Sequence, residues 1–395
     1  MIKPFDYQEK AIDSIFDKFK TMNKVCLQMA TGAGKTFTFS FLTKRFIEET
    51  GKKVLIMVHR EELVDQTCQA ITQLGMTYEK VLPSTKKLHH IGDVYVCMVE
   101  TLDRRLKKNK HYVKDVGLLI VDECHYMAFP KTFGYFPESK ILGVTATPVL
   151  TGRDTYWKCD RCQTTYTDES ICCGMEAIEW SRPRKMSDVY EDIVVGISIK
   201  DLIEMGQLVK EINFVRKSAN LDNLVVDGSG DFSNKSQDAA FGDTEALFNV
   251  VANYEEIAKG KRTIIFNNST KTNLKVYEQF KEKGYNVKMF DSVNNPGLNR
   301  RDLLKWFKEE PDSILLNVGA YIAGLDVREI EVEILNVSTL SLSKYIQMVG
   351  RIVRSSKEIY KPHAILIDGG GNVERFGIFS DDTRDWRKIF FEGIG

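Results

Sequence analysis

The residues from Gly32 to Thr36 carry the side chains and the backbone freedom that are needed to hold a nucleotide phosphate. Gly32 and Gly34 have no Cβ, so a turn built from them can point its backbone N–H groups at phosphate oxygens. Lys35 adds a cation for the β and γ phosphates, and the Thr36 hydroxyl is suited to ligate Mg²⁺. This stretch therefore predicts a nucleotide-binding phosphate loop.

A second group, about three hundred residues later, supplies two arginines. Arg351 and Arg354 are three positions apart, so on a helix they would share a face and point together. Their planar guanidinium groups suit the charge that develops on a transferred γ-phosphoryl group. Gln347 precedes them in the same run. We expect these three residues to complete a hydrolytic site, and the alternative is that the arginines form structural salt bridges.

Two adjacent carboxylates follow an apolar run at residues 118–121. A carboxylate at the carboxyl end of a parallel strand can hold Mg²⁺ through water, and its neighbour can polarise an attacking water molecule. We assign the first role to Asp122 and the second to Glu123. Without the phosphate loop upstream, the same pair would be equally consistent with a solvated loop.

These side chains must be positioned by strands that end, and helices that begin, beside them. Residues 25–29 form a short apolar run and residues 36–48 a helical segment, which is the order that a phosphate loop requires. The second half repeats the pattern, with a strand at residues 262–269 and a helix at about residues 271–283. A chain of 395 residues is long for one domain. The pattern predicts an α/β protein with two parallel-sheet domains.

The 55 basic and 55 acidic side chains cancel, so attraction to nucleic acid must come from local patches and not from net charge. No apolar stretch is long enough to span a membrane, and the first residues lack the pattern of a signal peptide. We therefore expect a cytoplasmic protein that does not bind membranes.

The order of these motifs resembles that of the superfamily-two helicases, in the DEAD/DEAH-box-like branch, and the likeness covers most of the chain. Within the branch it is most similar to phage and prophage DNA helicases with a zinc-ribbon-like insert. The matching segments are residues 5–8, 32–36, 54–66, 96–102, 122–125, 143–148, 262–269, 313–326 and 347–354. The resemblance implies two RecA-like parallel-sheet domains in tandem, with ATP and Mg²⁺ between them.

The resemblance also implies roles for individual residues. Gln8 and Phe5 are expected to recognise the adenine base, and Thr31 and Ala33 to complete the phosphate loop. Gly324 and Asp326 are expected to face the cleft. The residues expected to contact nucleic acid are Arg60, Thr101 and Ser269. The residues expected to couple hydrolysis to strand separation are His125, Thr145 and Thr147.

Four cysteines between the two halves predict a structural zinc site. Cys159 and Cys162 form a Cys-x-x-Cys knuckle, and Cys172 and Cys173 form an adjacent pair followed by glycine. Because the second pair departs from the usual spacing, one of its members could be a bystander replaced by a His or Asp ligand. The alternative is a set of reduced thiols without metal. The remaining cysteines fall in predicted core elements, so disulfides are not expected.

These expectations divide the chain into an ATP-binding domain at residues 1–150, a zinc-ribbon-like insertion at 151–186, a linker at 187–210 and a second RecA-like domain with a carboxy-terminal tail at 211–395. We expect a monomeric ATP-dependent helicase or translocase that acts on forked or branched DNA in replication, recombination or repair. For a phage-encoded protein, its compartment would be the host cytoplasm. The alternatives are an RNA helicase, a motor subunit of a DNA-processing or defence complex, and a scaffold that uses ATP only as a clamp.

Overall fold

The computed structural model describes residues 2–126, 129–150, 152–167, 169, 171–291, 299–318 and 327–394. Gly324 and Asp326, which were predicted to face the cleft, lie outside the described residues. Among the described residues, no helix is both long enough and apolar enough to cross a membrane.

The strands fall into two large sheets and a small insertion. In chain order they are β1 (Lys24–Gln28), β2 (Lys53–Val58), β3 (Tyr78–Val81), β4 (Val94–Met98), β5 (Val116–Asp122), β6 (Lys140–Thr145), β7 (Arg153–Lys158), β8 (Thr165–Tyr166), β9 (Ile171–Cys172), β10 (Met175–Glu176), β11 (Ile178–Pro183), β12 (Asp192–Val195), β13 (Glu211–Val215), β14 (Thr263–Asn267), β15 (Val287–Phe290), β16 (Ile314–Val318), β17 (Val332–Asn336) and β18 (Ala364–Asp368).

Helices connect the strands of both large sheets. They are α1 (Asp6–Phe19), α2 (Lys35–Thr50), α3 (Glu61–Gln73), α4 (Val99–Lys108), α5 (Pro130–Phe133), α6 (Ile199–Glu204), α7 (Asn234–Phe241), α8 (Thr244–Ile257), α9 (Thr270–Glu282), α10 (Arg300–Glu309), α11 (Leu342–Val349), α12 (Asn372–Phe376) and α13 (Trp386–Glu392), together with a short 3-10 helix, Met186–Asp188.

The first sheet has seven parallel strands in the order β12-β1-β6-β5-β2-β4-β3. Its central strands β1, β5 and β6 are almost wholly buried, as expected for apolar runs covered by helices on both faces. Because all strands run the same way, the loops that follow β1, β5 and β6 meet at one edge of the sheet. The phosphate loop and the two carboxylates are therefore brought together by the sheet itself.

The second sheet has six parallel strands in the order β13-β18-β17-β14-β16-β15. The insertion lies in sequence between β6 and β12 of the first sheet, and in it β7 pairs with β8 and β11, and β9 pairs with β10, all antiparallel. Two parallel-sheet domains of the RecA type, predicted from the sequence, are confirmed.

Two elements lie outside the predicted domain limits. The strand β12 falls within the predicted linker, yet it pairs with β1 at the edge of the first sheet. The final helix α13 was expected to complete the second domain, but Phe390 is fully buried among residues of the first. Arg387 also pairs with Asp192 of β12, at 3.0 Å between Nη1 and Oδ1. The chain therefore crosses between the sheets twice, at residues 196–210 and 377–385.

Candidate functional site: a nucleotide cavity between two sheets

The phosphate loop joins the end of β1 to the start of α2. Gly32 has φ of +88° and Gly34 has φ of +74°, a left-handed conformation that residues with a Cβ rarely adopt. Gly34 is also the residue that precedes the first turn of α2, so the free N–H groups at this helix start face the loop. Lys35 begins the helix, and its Nζ lies 3.8 Å from Glu123 Oε1.

The two carboxylates differ in their protonation. Asp122, at the end of β5, is buried, and its Oδ1 accepts a hydrogen bond of 3.0 Å from the Glu123 N–H. Burial, followed by the neighbouring charge of Glu123, raises the pKa of Asp122 to about 7. Burial is the largest single influence on the pKa of Glu123 and acts to raise it, but the charge of Lys35 together with smaller contributions from His125, His59 and Thr145 makes the net shift downward. Glu123 is thus the ionised member of the pair at neutral pH.

Glu123 is also held in an uncommon backbone conformation. Its φ of +52° lies in the left-handed region, where a non-glycine residue is strained. The following residue, Cys124, donates its N–H to Val144 O at 3.0 Å, which ties the turn to β6. Such strain in a buried loop is found most often at functional sites.

A cavity of about 430 Å³ lies between the two sheets, next to these residues. Its walls include Lys35, Thr36, Asp122 and Glu123 from the first domain. From the second domain they include Gln347, Arg351 and Arg354. The structure thus brings the predicted catalytic residues of both domains to one cavity. The walls also contain residues that were not predicted for this site, which are Phe37, His59, Tyr126, Gln207 and Arg328, and three glutamines of α3.

The two arginines do not share a helix, contrary to the sequence-based prediction. The helix α11 ends at Val349, and Gly350 caps it with an N–H to Ile346 O bond of 2.9 Å. Arg351 lies in the following turn, and Arg354 forms an antiparallel bridge with Leu208. The prediction failed because the chain leaves the α-helix after Val349 and continues in turns whose N–H groups donate to carbonyls three residues back, yet both side chains still reach the cavity.

The domains approach each other closely where this turn meets the phosphate loop. A Cβ placed on Gly350 would lie 2.6 Å from Cγ2 and 2.8 Å from Cβ of Thr31. Only a residue without a side chain fits there. Gly350 therefore sets how near the arginine-bearing turn comes to the phosphate loop.

The residues predicted to recognise adenine lie beside the phosphate loop but do not line the cavity. Gln8 is buried; its Oε1 accepts the N–H of Phe5 at 2.9 Å, and its Nε2 donates to Gly34 O at 3.4 Å. Phe5 is about half exposed and stacks on Tyr7, with ring centroids 5.5 Å apart. Ala33 is likewise buried, and its carbonyl accepts a bond from the Tyr7 hydroxyl at 3.1 Å.

The three residues predicted to couple hydrolysis to movement form one hydrogen-bonded chain. His125 Nδ1 lies 2.9 Å from Thr145 Oγ1, which accepts the Thr147 N–H at 3.0 Å. Thr147 Oγ1 then lies 2.7 Å from Ser343 Oγ on α11 of the second domain. Burial lowers the pKa of His125, so its ring is neutral at pH 7 and its 3.5 Å approach to Glu123 is not an ion pair. Ser343 was missed, although it lies one helical turn before Gln347.

The residues predicted to contact nucleic acid are placed differently from one another. Arg60 precedes α3 and lines the cavity, so it lies closer to the predicted catalytic residues than expected. Thr101 is only 3% exposed, which leaves its hydroxyl no surface from which to reach a strand. Ser269 caps α9 through the Thr272 N–H and donates to Asp238. Of the three, only Arg60 presents a charged group to the cavity.

The four cysteines of the insertion lie close enough to share one metal ion. All four Sγ atoms lie within 4.8 Å of one another, with 3.5 Å between Cys162 and Cys172 and 3.8 Å between Cys172 and Cys173. Zn–S bonds of about 2.3 Å in a tetrahedron require sulfur atoms about 3.8 Å apart, so the geometry fits Zn²⁺. Hydrogen bonds with Thr164 lower the pKa of Cys162 to about 6, whereas the hydrogen bond with Cys162 raises the pKa of Cys173 to about 12.

Two protein families match the chain. Residues 1–150 match the family described as type III restriction enzyme, res subunit, and residues 244–356 match the helicase conserved C-terminal domain. A 51.5 kDa protein of a Lactococcus phage (isolate 7-9) is 26% identical over 370 residues, which cover 93% of this chain and 70% of the phage protein. A Saccharomyces cerevisiae protein named as a candidate ATP-dependent helicase is 27% identical over 408 residues, which cover 95% of this chain and 54% of the yeast protein.

The chain therefore spans about half the length of the yeast relative. Several more distant viral relatives are named as candidate RNA helicases. Among solved structures, a type ISP restriction-modification enzyme bound to DNA matches with a TM-score of 0.62 and 19% identity over 93% of this chain and 28% of that enzyme. At this identity the likeness to the solved structure establishes a common fold.

Proposed function

We propose that this chain is a superfamily-two helicase that hydrolyses ATP to move along DNA and separate its strands. One observation carries the proposal. A single cavity between the two sheets has the phosphate loop and two carboxylates on one wall and two arginines on the other. A site divided in this way is complete only when the domains are together, so hydrolysis and domain movement are linked.

On the first domain, we assign nucleotide binding to Lys35 and to the backbone N–H groups of the phosphate loop. Thr36 and Asp122 are the residues that would hold Mg²⁺, because a hydroxyl and a buried carboxylate that both line the cavity are oxygen ligands suited to that ion. Bound Mg²⁺ supplies charge neutralisation at the β and γ phosphates. A bound cation would favour the ionised form of the Asp122 carboxyl group, so the raised pKa of Asp122 does not prevent it from acting as a ligand.

Glu123 is assigned to water activation. It is ionised at neutral pH, lines the cavity and is fixed by its strained backbone, so its carboxylate can accept a hydrogen bond from a water molecule at the γ phosphate. Arg351 and Arg354 are assigned to stabilising charge on the transferred group, because they enter from the other domain and carry rigid cationic forks.

DNA is proposed as the substrate on three grounds. The first domain matches a restriction-enzyme family, a solved structure with the same fold was bound to DNA, and a relative whose alignment covers 93% of this chain is a phage protein. We further propose that the insertion holds Zn²⁺ through its four cysteines and engages a fork or branch. The arginines and lysines around β7 and β11 would make the contact with a strand. Six acidic residues in the same insertion balance their charge, so this contact would depend on the local placement of the basic side chains.

The experiment compares ATP turnover with single-stranded DNA and single-stranded RNA, followed by strand separation on forked, Holliday-type and blunt duplexes. The wild-type protein is expected to respond most strongly to DNA and to separate forked DNA fastest. Lys35→Ala is expected to abolish turnover, whereas Lys10→Ala, which removes an exposed lysine of α1, should behave as wild type. A Lys35→Ala protein with normal ATP hydrolysis would overturn the assignment of the site.

An RNA helicase is the second candidate, since several relatives are named as such. Stimulation by RNA that equals or exceeds stimulation by DNA would select it. Tight DNA binding with negligible turnover would instead point to a clamp, and stable co-purification with a nuclease or methyltransferase would point to a subunit of a larger complex.

A further inference from the structure

The linker residues 207–209 lie between the phosphate loop and the arginine-bearing turn. On the first-domain side, the N–H groups of Gln207 and Leu208 donate to the carbonyl oxygen of Leu202 in α6, at 2.9 and 3.2 Å. On the second-domain side, the Gln207 carbonyl accepts the Ser355 N–H at 3.2 Å and the Ser355 hydroxyl at 3.0 Å. The segment is therefore hydrogen-bonded to both halves of the molecule.

The same linker segment forms a short antiparallel pairing with the turn that carries the arginines. Leu208 bridges to Arg354, and the Val209 N–H donates to Val353 O at 2.7 Å. A backbone displacement of the linker would be passed directly to Arg354, because these bonds connect main chain to main chain.

The side chain of Leu208 points the other way, onto the phosphate loop. Leu208 is 2% exposed, and a Cβ added to Gly32 would lie 2.7 Å from its Cδ2. The leucine methyl thus occupies the space where a side chain at Gly32 would be. Next to it, Gln207 lines the nucleotide cavity. One face of the linker contacts the loop that would hold phosphate, and its backbone contacts the group that would complete hydrolysis.

We propose that Leu208 is a positioning residue that couples the conformation of the phosphate loop to the placement of Arg354. Close-packed groups transmit displacement instead of absorbing it, so a loop that shifts on binding phosphate must move the leucine and, through the bridge, the arginine. This inference rests on the proposed ATP hydrolysis and adds a device that connects its two halves. Leu208 itself does not touch the reacting atoms.

The test uses three variants of the full chain. Leu208→Ala removes the contact with Gly32, Leu208→Met restores most of its bulk, and Leu340→Ala changes a leucine of the second domain that is 37% exposed. For each we would measure ATP turnover with saturating DNA, affinity for a fluorescent ATP analogue, distance between dyes placed on the two domains, and thermal unfolding.

We expect Leu208→Ala to lower the turnover number by about 10- to 100-fold, the effect of a displacement of about 1 Å at a catalytic group. Nucleotide affinity should stay within about threefold, because the phosphate loop is intact, and the change in dye distance on adding ATP should shrink. Leu208→Met should recover most of the turnover, and Leu340→Ala should match wild type. Ser355→Ala, which removes one of two bonds to Gln207 O, should give a smaller loss in the same direction.

A Leu208→Ala protein that unfolds at a lower temperature but keeps wild-type turnover and wild-type dye movement would overturn the inference, since that outcome describes ordinary packing. Failure of methionine to rescue turnover would do the same. These results differ from failure of the proposed function, which would appear as normal turnover in Lys35→Ala, whatever the behaviour of Leu208.

Discussion

Substituting Gly350 with alanine should separate nucleotide binding from hydrolysis. The added Cβ would lie 2.6 Å from Thr31 Cγ2 and 2.7 Å from the Ile346 carbonyl oxygen. Carbon atoms in contact are normally about 3.5 to 4.0 Å apart, so the turn must retreat from the phosphate loop by about 1 Å. The retreat carries Arg351 with it, because that residue follows directly.

The expected loss of rate follows from how strongly catalysis depends on the positions of the catalytic groups. A misplacement of about 1 Å can lower a rate about 10²-fold, which corresponds to about 2.7 kcal/mol of transition-state stabilisation. Binding should change far less, since Lys35 and the start of α2 lie outside the contact between Gly350 and Thr31. We therefore expect a turnover number reduced about 100-fold in Gly350→Ala, with affinity for a fluorescent ATP analogue within about threefold of wild type.

Steady-state ATP hydrolysis with saturating DNA and equilibrium binding of the analogue measure the two quantities. Gly134→Ala is the matched control, because Gly134 has an ordinary helical backbone and no atom within 4 Å of its added Cβ. Adding Thr31→Ser to Gly350→Ala removes the nearer methyl and should recover part of the turnover. Wild-type turnover in Gly350→Ala, or an equal loss of binding and turnover, would refute the idea that this contact sets the arginine position.

Three further outcomes are expected. Arg351→Ala should keep nucleotide affinity but lower turnover about 10³-fold or more, measured by the same two assays, and equal loss of both would argue against its assigned role. Purified protein should contain one zinc per chain by elemental analysis, and Cys162→Ser should lose it while ATP binding persists; a full zinc content in that variant would exclude Cys162 as a ligand. Burial lowers the pKa of Lys361 to about 7, while its neutral amine can still donate to the carbonyl oxygens of Arg328 and Arg354. Above pH 7 the unfolded chain then holds a proton that the folded chain lacks, so the free energy of unfolding from this group should rise with pH by at most about 1.4 kcal/mol per unit. Urea unfolding at pH 7, 8 and 9 should show that rise in wild type and a flatter one in Lys361→Met; parallel curves would contradict it.

The phosphate loop and the carboxylate pair could be located from the sequence because their chemistry and their elements coincide. An apolar strand, two glycines and a helix start are contiguous in the chain, so local pattern alone predicts the geometry of Lys35. The sequence indicated where the two arginines lie in the chain, but it did not predict their backbone conformation. A three-residue spacing predicts a shared face only if the helix continues through both residues. Gly350 ends α11 before either arginine is reached.

Contacts between distant segments were the part that sequence could not supply. Trp386 and Phe390 lie four residues apart on α13, which predicts an apolar face but not which sheet that face covers. The strand β12 has only four residues, too few for its pattern to be distinguished from a linker. Leu208 gives no signal in the sequence, because its importance comes from a glycine about 175 positions earlier.

The seam between the domains contains both glycine contacts and buried side chains. Gly32 and Gly350 approach their neighbours closely and contribute no side chain of their own. The hydrogen bond between Thr147 and Ser343 is buried, yet on opening both hydroxyls would meet water, so its net contribution is only about 1 kcal/mol. Buried apolar residues of both domains belong to one cluster, so opening would expose apolar surface, and a ligand in the cavity can shift the balance between open and closed states. A nucleotide that contacts Lys35 on one wall and Arg351 on the other would favour closure through contacts that exist only in the closed state, and loss of its γ phosphate would remove part of them.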